Sequence, residues 1–520
     1  MSATSATNAS SGRLVPAAEL AEAALAGAGA GAEVIVIVEE SSEADVRFAN
    51  NTTTTNGVRR DRRVSVVAFD PRSGAPGTAG RGGGAGGSGV TASGPAGTGR
   101  AAAAGADGAA AAGAGVAGGV ATASVSRSGL VDIDELVAEA RRAAGGLSPA
   151  EDASPLIGPS VGGYGDGTFE DDPAATDLGE LAGLVGELAE LFARARSEHR
   201  VLAGFAHHVV TTTYLASSTG LRLRHVQPSG TVELVARSED GSASAWAGLA
   251  SPDFAGVSLE PLERRLVERL GWTERRIELP AGRYETLLPP DAVSDLMIGL
   301  YEATGGRNAE DGASVFSGPG GTTRIGEQLT NLPFRLYSDP AAPGLESMPF
   351  LATAWSGADV SVFDNGMPIG ATSWIEDGKL ASLQYHRAGA ARAGVAAAVP
   401  ADNLLLDLPG SSASLEELIG RSERALLLTC MWYVREVDPA TLLLTGLTRD
   451  GVYLVEHGEV VGAVNNFRWN ESPIDVLRRT VEAGAIEPAF SREWNEWMPR
   501  VAMPALRVAD FNMSTVSPAS

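Results

Sequence analysis

The chain of 520 residues holds six histidines and a single cysteine, and these are its main candidates for metal binding or nucleophilic chemistry. His199, His207, His208, His225, His386 and His457 are scattered, and no His-Glu-x-x-His occurs. No two lie four residues apart on a predicted helix, the spacing that turns two imidazoles toward one ion. His207 and His208 are neighbours in a predicted strand, so their side chains point to opposite faces and serve structure, not chelation. His457 reads as a turn residue and His386 as a strand end, both solvated. Cys430, in "RALLLTCMWYV", sits in an apolar run. That is the setting of a small buried hydrophobe, whereas a reactive thiol needs a cationic and partly open site. "GPSVG" (158–162) has the Gly-x-Ser-x-Gly pattern of a serine nucleophile. That motif works on a strand-turn-helix, but Ser160 follows "SPLI" and precedes "GYGDGTF", which cannot be a helix. The pattern is expected by chance in a chain with 64 glycines. No Walker phosphate loop or Rossmann fingerprint is present, and Lys379 is the sole lysine. No catalytic residue and no metal ligand set is therefore assigned to this chain.

The formal net charge is −24, which argues against nucleic acid or an anionic membrane as partner, because both need clustered cations. It also supplies carboxylate pairs by chance, so these identify no acid–base site. Apolar residues make up 44% of the chain and the mean hydropathy is +0.02, values of a soluble globular protein of two or three domains. One cysteine excludes an internal disulfide. The first residues, "MSATSATNASSGRLVP", lack the basic and apolar regions of a secretory signal. No window reaches the roughly 18 to 20 apolar residues of a membrane helix. A cytoplasmic location follows as the expectation, and near-exclusive use of arginine with abundant Ala and Gly points to a GC-rich bacterial genome.

The elements that must position any site can be read in order. "PAAELAEAALAGAG" is a helix with proline in its first turn and a glycine exit. "AEVIVIVEE", "ADVRFANN" and "RRDRRVSVVAF" read as three strands. Residues 74–119 are almost wholly Gly, Ala, Ser and Thr. They bury too little to offset chain entropy and are expected to be a disordered insertion in a hairpin loop. "GVATASVSRSG" resumes as a strand and "VDIDELVAEARRAA" as a helix, completing an N-terminal α+β domain over 14–148. A Gly-, Pro- and acid-rich linker follows over 149–177. A central α+β domain over 178–280 reads as the helix "LGELAGLVGELAELFARARSE", the strands "RVLAGFAHHVVTTTYLAS", "LRLRHVQ", "TVELVARS" and "SASAWAG", and the helix "LEPLERRLVERLGW". Beyond it, 281–518 is a β-rich domain. It opens with a helix from Pro290 that carries Val293, Leu296, Met297, Leu300, Tyr301 and Thr304 on one stripe, with Gly305 as its stop. Asp377-Gly378 and His457-Gly458 mark hairpins further on. Of the eight tryptophans, Trp494 and Trp497 in "FSREWNEWMP" suit either a peptide- or partner-binding surface or the core and rim, the commoner place for aromatics.

The order of these elements and several stretches resemble the TldD/PmbA (TldD/TldE) family of heterodimeric metallopeptidases. The stretches are "GRYETLLPPDAVSDLM", "GASVFSG", "FDNGMPIGATSWIEDGKL", "NLLLDLPGSSASLEELI", "GVYLVEHGEVVGAV" and "LRVADFN". The match is weaker but in register over 16–73 and 120–280. The resemblance implies an α+β fold, with N-terminal α/β layers on an antiparallel sheet and a β-rich C-terminal domain of the TldD/PmbA type. TldD-like subunits of the family hold a metal with His-Glu-x-x-x-His and a cysteine near the C-terminus; TldE/PmbA-like subunits lack these ligands. Two histidines five residues apart lie roughly 140° apart on a regular helix, so they meet one ion only where the turn widens. Counted back without gaps from "GASVFSG", the family's two histidine positions fall on Met297 and Glu302 and its glutamate on Ile298. No histidine lies between His225 and His386, and no cysteine follows Cys430. Met297 and Ile298 are poor donors for a hard or borderline divalent ion, and Glu302 alone makes no site. The stretch "IGLYEATGGRNAEDGASVFSG" thus reads as an active-site helix and loop without ligands. The resemblance implies a non-catalytic TldE/PmbA-like subunit with no cofactor of its own. A TldD-like partner would carry zinc or a similar divalent metal, and the substrates would be unfolded peptides or peptide natural-product precursors. A stand-alone binding or assembly protein of the same fold is the alternative; a hydrolase acting through Ser160 is a weaker one.

Overall fold

The computed structural model describes residues 14–71, 120–159 and 165–518. The expected insertion, and Ser160 with the last two residues of its motif, lie outside the described residues. The chain opens with α1 (Ala17–Ala28), β1 (Glu33–Ala49), β2 (Thr52–Pro71), β3 (Val120–Ser128) and α2 (Ile133–Gly146). It continues through α3 (Ala182–Ser197), β4 (Arg200–Ser217), β5 (Arg222–Ser238), β6 (Ser244–Ser251) and α4 (Glu260–Trp272).

Two pairs of expected strands are single long ones. "AEVIVIVEE" and "ADVRFANN" merge into β1, because the Ser41-Ser42 stretch between them keeps the pleat: Ser42 is buried and its hydroxyl donates to Thr176 O at 2.9 Å. "LRLRHVQ" and "TVELVARS" merge into β5 through Pro228. Proline is tolerated there because β6 pairs only from Gly230 onward, leaving β5 an edge strand at Pro228. Asn50 and Asn51, with φ of 52° and 57°, turn β1 into β2. Positive φ at both central residues is the requirement of the tight hairpin turn that asparagine tolerates.

Six strands form one antiparallel sheet in the order β3-β2-β1-β4-β5-β6, which continues across the linker: β1 pairs with β4 from Ile35↔Ser217 to Phe48↔Gly204. On one face α1 and α2 cover Val34, Val36, Val38, Val64, Val66 and Ala68. On the same face α3 and α4 cover Ala44, Val46, Phe48, Leu202, Val232 and Leu234 further along the strands. The opposite face offers Ile35, Ile37, Val67, Phe69, Leu215 and Leu223 to Phe350, Val362 and Phe363 of the C-terminal region.

The C-terminal region contributes β7 (Arg276–Ile277), β8 (Gly282–Leu288), α5 (Pro290–Glu302), α6 (Gly306–Glu310), β9 (Arg335–Ser338), β10 (Thr372–Glu376) and β11 (Lys379–Leu380). Then come α7 (Arg387–Ala393), β12 (Leu404–Asp407), α8 (Leu415–Gly420), β13 (Arg424–Leu428), β14 (Trp432–Asp438) and β15 (Leu443–Leu447). The chain closes with β16 (Val452–Glu456), β17 (Glu459–Val464), β18 (Phe467–Glu471), α9 (Pro473–Arg479), β19 (Thr480–Ala489), β20 (Val501–Met513) and β21 (Thr515–Val516). Its main sheet runs β11-β10-β9-β12-β20-β8-β13-β16-β17-β7, with β19 added on β20, and mixes parallel and antiparallel pairs. A second sheet, β14-β15-β18-β21, packs beside it. The largest core gathers around α5, against β8, β19, β20 and α9. The fold is α+β and strand-rich. Among the described residues no helix is long and apolar enough to cross a membrane.

Candidate functional site

α5 is the helix on which the sequence places the altered metal motif. Pro290 starts it at a position where a missing N–H costs nothing. Apolar residues then surround nearly its whole circumference: Val293, Leu296, Met297, Ile298, Leu300 and Tyr301 are all 0% exposed. A helix buried on all sides belongs to the centre of a large domain, and that is where it lies. Met297 and Ile298 are thus packed into the core, while Glu302, in the last turn, is exposed. A thioether, an aliphatic chain and one surface carboxylate do not fit a zinc-type site. Among the described residues, no three His, Cys, Asp or Glu side chains gather as a metal set.

Two carboxylates interrupt the apolar surface of α5, one helical turn apart. Asp291 Oδ1 accepts from Phe490 N at 2.8 Å. Asp295 Oδ1 accepts from Ser491 Oγ at 2.6 Å and from Glu493 N at 3.0 Å. Trp494 Nε1 donates to Asp295 O at 3.2 Å. Together they fasten the segment between β19 and β20 to the central helix. Burial pushes the Asp295 carboxyl up to about 8, against the two donated hydrogen bonds, which favour the carboxylate. Among the described residues its Oδ2 has no hydrogen-bond partner, and Cys430 and Arg492 lie in the same neighbourhood. The sequence signal for this cluster was the Asp-x-x-x-Asp spacing on an otherwise apolar helix, and nothing assigned it a role.

The C-terminal end of α5 is tied down as firmly. Tyr301 Oη donates to Ala401 O at 3.0 Å and accepts from Ala401 N at 2.9 Å. Gln384 Nε2 donates to Tyr301 O at 3.1 Å and to Thr304 Oγ1 at 2.9 Å. Gly305 is the expected stop of this helix, which ends three residues earlier, at Glu302. Its φ is −61°, and it is the N-cap of α6. Glycine is needed there for space, since a Cβ would lie 2.9 Å from Asp359 Oδ1. Gly306 is tighter still: a Cβ would stand 2.1 Å from Tyr385 Cζ. The Tyr385 hydroxyl donates to Glu310 Oε1 at 2.9 Å, and burial together with that carboxylate pushes its pKa up.

The histidines are dispersed. His207 is half-buried and His208 is buried on the other face, its Nδ1 2.7 Å from Thr176 Oγ1 and its Nε2 3.0 Å from Pro252 O. His457 is a turn residue with φ 53°, exposed beside Glu423. His199 is exposed beside Glu239, and His225 is buried and shares a hydrogen bond with Gln227. His386 corrects the sequence reading: it is 5% exposed, not solvated, and it caps α7 by accepting from Gly389 N at 3.2 Å. The sequence around it gives no sign of a helix start. Cys430 is buried beside Trp246 and Phe490, where burial raises its thiol far above the reactive range. Trp494 and Trp497 are half-buried against the main core, edge-to-face at 6.4 Å.

Among the described residues, the polar groups on α5 and around Cys430 are buried in the core, where hydrogen bonds and packing hold them. Residues 281–515 match the model of the PmbA/TldA metallopeptidase C-terminal domain, and 171–273 that of the central domain. The chain belongs to the TldD/PmbA metallopeptidase family. Among solved structures it is similar to TldE from Thermococcus kodakarensis, at 16% identity and TM-score 0.68, covering 95% of this chain and 98% of that one. A putative modulator of a DNA gyrase from Thermotoga maritima aligns at 17% identity and TM-score 0.68 over 95% and 99%. Another from Bacteroides thetaiotaomicron aligns at 14% identity and TM-score 0.68 over 96% and 98%. A comparison with curated proteins gave no match.

Proposed function

We propose that this chain is a non-catalytic, TldE/PmbA-like subunit of a cytoplasmic heterodimeric metallopeptidase that degrades unfolded peptides or processes peptide natural-product precursors. One observation carries the reading. At the positions where counting back without gaps from "GASVFSG" puts the family's His, Glu and His, this chain has Met297 and Ile298, both 0% exposed in the core, and Glu302 outside it. A divalent ion, zinc or similar, would be held by a TldD-like partner and would there polarise the scissile carbonyl and activate water. This chain's contribution would be a rigid wall: α5 is locked by Asp291, Asp295, Tyr301 and Gln384, so the surface built on it keeps its shape when a partner docks.

The test is metal analysis and peptide hydrolysis on the purified chain, alone and co-expressed with a family member carrying His-Glu-x-x-x-His. Expected are substoichiometric zinc and no turnover alone, then co-elution and activity with the partner. Stoichiometric metal and turnover from the chain alone would overturn the proposal. Absence of any complex with the family members from the same genome would favour the stand-alone binding protein.

A further inference from the structure

The chain leaves the main sheet after β19 and returns to it at β20, and the two strands close the excursion where Ala489 pairs with Val501. Beside this neck a cavity of about 200 Å³ opens between the main sheet and the N-terminal sheet. The middle of β5 at Pro228 forms one wall, together with the end of β6. The neck forms a second wall at Ala489, and the loop at Leu345 and Glu346 a third. Proline, glycine and aliphatic residues make up most of the lining, so the body of any ligand held there is apolar.

One cation lines this cavity. Arg500, half-buried, carries five N–H donors, and among the described residues only Nη2 finds an acceptor, Pro228 O, at the long distance of 3.4 Å. No described carboxylate forms an ion pair with it: the exposed Asp402 acts on it only through space, and burial pulls its pKa below the usual arginine value. Glu346, the one carboxylate in the described lining, is exposed and is not paired with it either. Arg507, further along in β20, shows the ordinary arrangement, with Glu285 Oε1 at 3.4 Å and Glu482 Oε2 at 3.0 Å. A guanidinium drawn from water without a counter-charge is destabilising, and such a group beside a cavity marks a place where a ligand completes the pair. Ser229 also lines the cavity, on the face of β5 that Leu223 turns to the C-terminal region, and its hydroxyl makes no hydrogen bond with the described residues.

We infer that the cavity at Arg500 binds an apolar monocarboxylate, the guanidinium holding the carboxylate and the wall at Pro228, Leu345 and Ala489 covering the hydrocarbon part. Two parallel N–H bonds from one guanidinium match one carboxylate, and the Ser229 hydroxyl supplies a further donor. A single cation balances one negative charge, which disfavours phosphate esters that carry nearly two. The volume is below the roughly 300 to 1,000 Å³ of drug-sized sites, so the ligand is of the size of one amino-acid residue and a nucleotide is excluded. A free short-chain acid and the C-terminal residue of a peptide share this chemistry. The site does not depend on the subunit role proposed above.

The experiment titrates the full chain with 4-methylpentanoate and with N-acetyl-alanyl-leucine, each against its own amide, by isothermal titration calorimetry. Expected is binding of an acid at a single site, with the matching amide weaker by about tenfold or more, as loss of a hydrogen-bonded charge requires. Equal affinity for the two acids assigns the site to free acids, and tighter binding of the dipeptide assigns it to a peptide C-terminus. Arg500→Gln should weaken the acid by about tenfold or more, and Arg500→Lys, which keeps the charge but not the fork, should recover part of the loss. Thermal melts check that both variants fold. A readout on the unaltered chain stands beside them: the acid, and not its amide, should protect Arg500 from phenylglyoxal in peptide mapping by mass spectrometry. Equal binding of acid and amide, unchanged binding in a folded Arg500→Gln, or equal protection by both overturns the inference. Absence of heat from every probe at millimolar concentration also overturns it and leaves Arg500 as a structural tie to Pro228.

Discussion

Replacing Asp295 by asparagine tests whether burial or hydrogen bonding rules the cluster on α5. The carboxyl is pushed up to about 8, far above the roughly 3.9 of an unfolded aspartate. Between those values the folded chain keeps a proton that the unfolded chain has lost. The group's contribution to stability is therefore full below about pH 4, drains as the pH rises, and levels off above about pH 8. Each pH unit in that window costs the wild type about 1.4 kcal/mol that Asp295→Asn does not lose. From pH 5 to pH 8 the difference between the two proteins should move by roughly 4 kcal/mol in the variant's favour. At low pH the variant starts only slightly lower, because its amide buries two N–H donors at the unpartnered Oδ2 position where the protonated carboxyl buries one O–H. Urea unfolding followed by tryptophan fluorescence reads this directly, since Trp494 donates to the Asp295 carbonyl. A stability difference that stays flat from pH 5 to pH 8, or moves against the variant, would refute the reasoning. It would mean that Ser491 and Glu493 N hold an ionised carboxylate in the folded chain.

Gly306→Ala should lower stability by about 1–3 kcal/mol, because its Cβ meets the Tyr385 ring, and a Tyr385→Leu second change should recover part of the loss in thermal melts. His386 caps α7 through an unprotonated Nδ1, and burial holds its pKa below the usual histidine value. Stability should therefore fall as the pH drops below about 6.5, where the unfolded imidazole takes its proton first, and His386→Asn, which keeps a cap, should flatten that dependence in denaturation at pH 5 to 8. Deleting residues 74–119 should leave folding and solubility intact by circular dichroism and size exclusion, since loop closure cost changes only slowly with length.

Elements with a strong period were legible. α2, α4 and α5, and the hairpins at Asp377-Gly378 and His457-Gly458, follow from spacing and turn residues alone. Strand length was not, because hydrophobicity marks where a strand is buried, not where it ends. Ser41-Ser42 and Pro228 look like breaks, yet pairing on both sides of β1 and the edge position of β5 carry the backbone through them. Asn50-Asn51 is a hairpin signal weaker than Asn-Gly, and its two residues do not by themselves mark the turn. At the candidate site, the types of residues 297, 298 and 302 could be read directly, but the locking groups could not. Asp295 and Ser491 are separated by 196 positions, and only the tertiary fold makes them neighbours. The burial of His386 is hidden from the sequence for the same reason: it arises only in the tertiary fold.

The pairing of β1 with β4 across residues 149–177 bears on how this molecule comes apart. A protease that nicks the chain in that stretch frees no module, since the halves remain zipped along fourteen facing residue pairs, Ile35↔Ser217 to Phe48↔Gly204. Fragments cut there should migrate as one species until denatured. Two polypeptides divided at that point and made separately should find each other and rebuild the sheet.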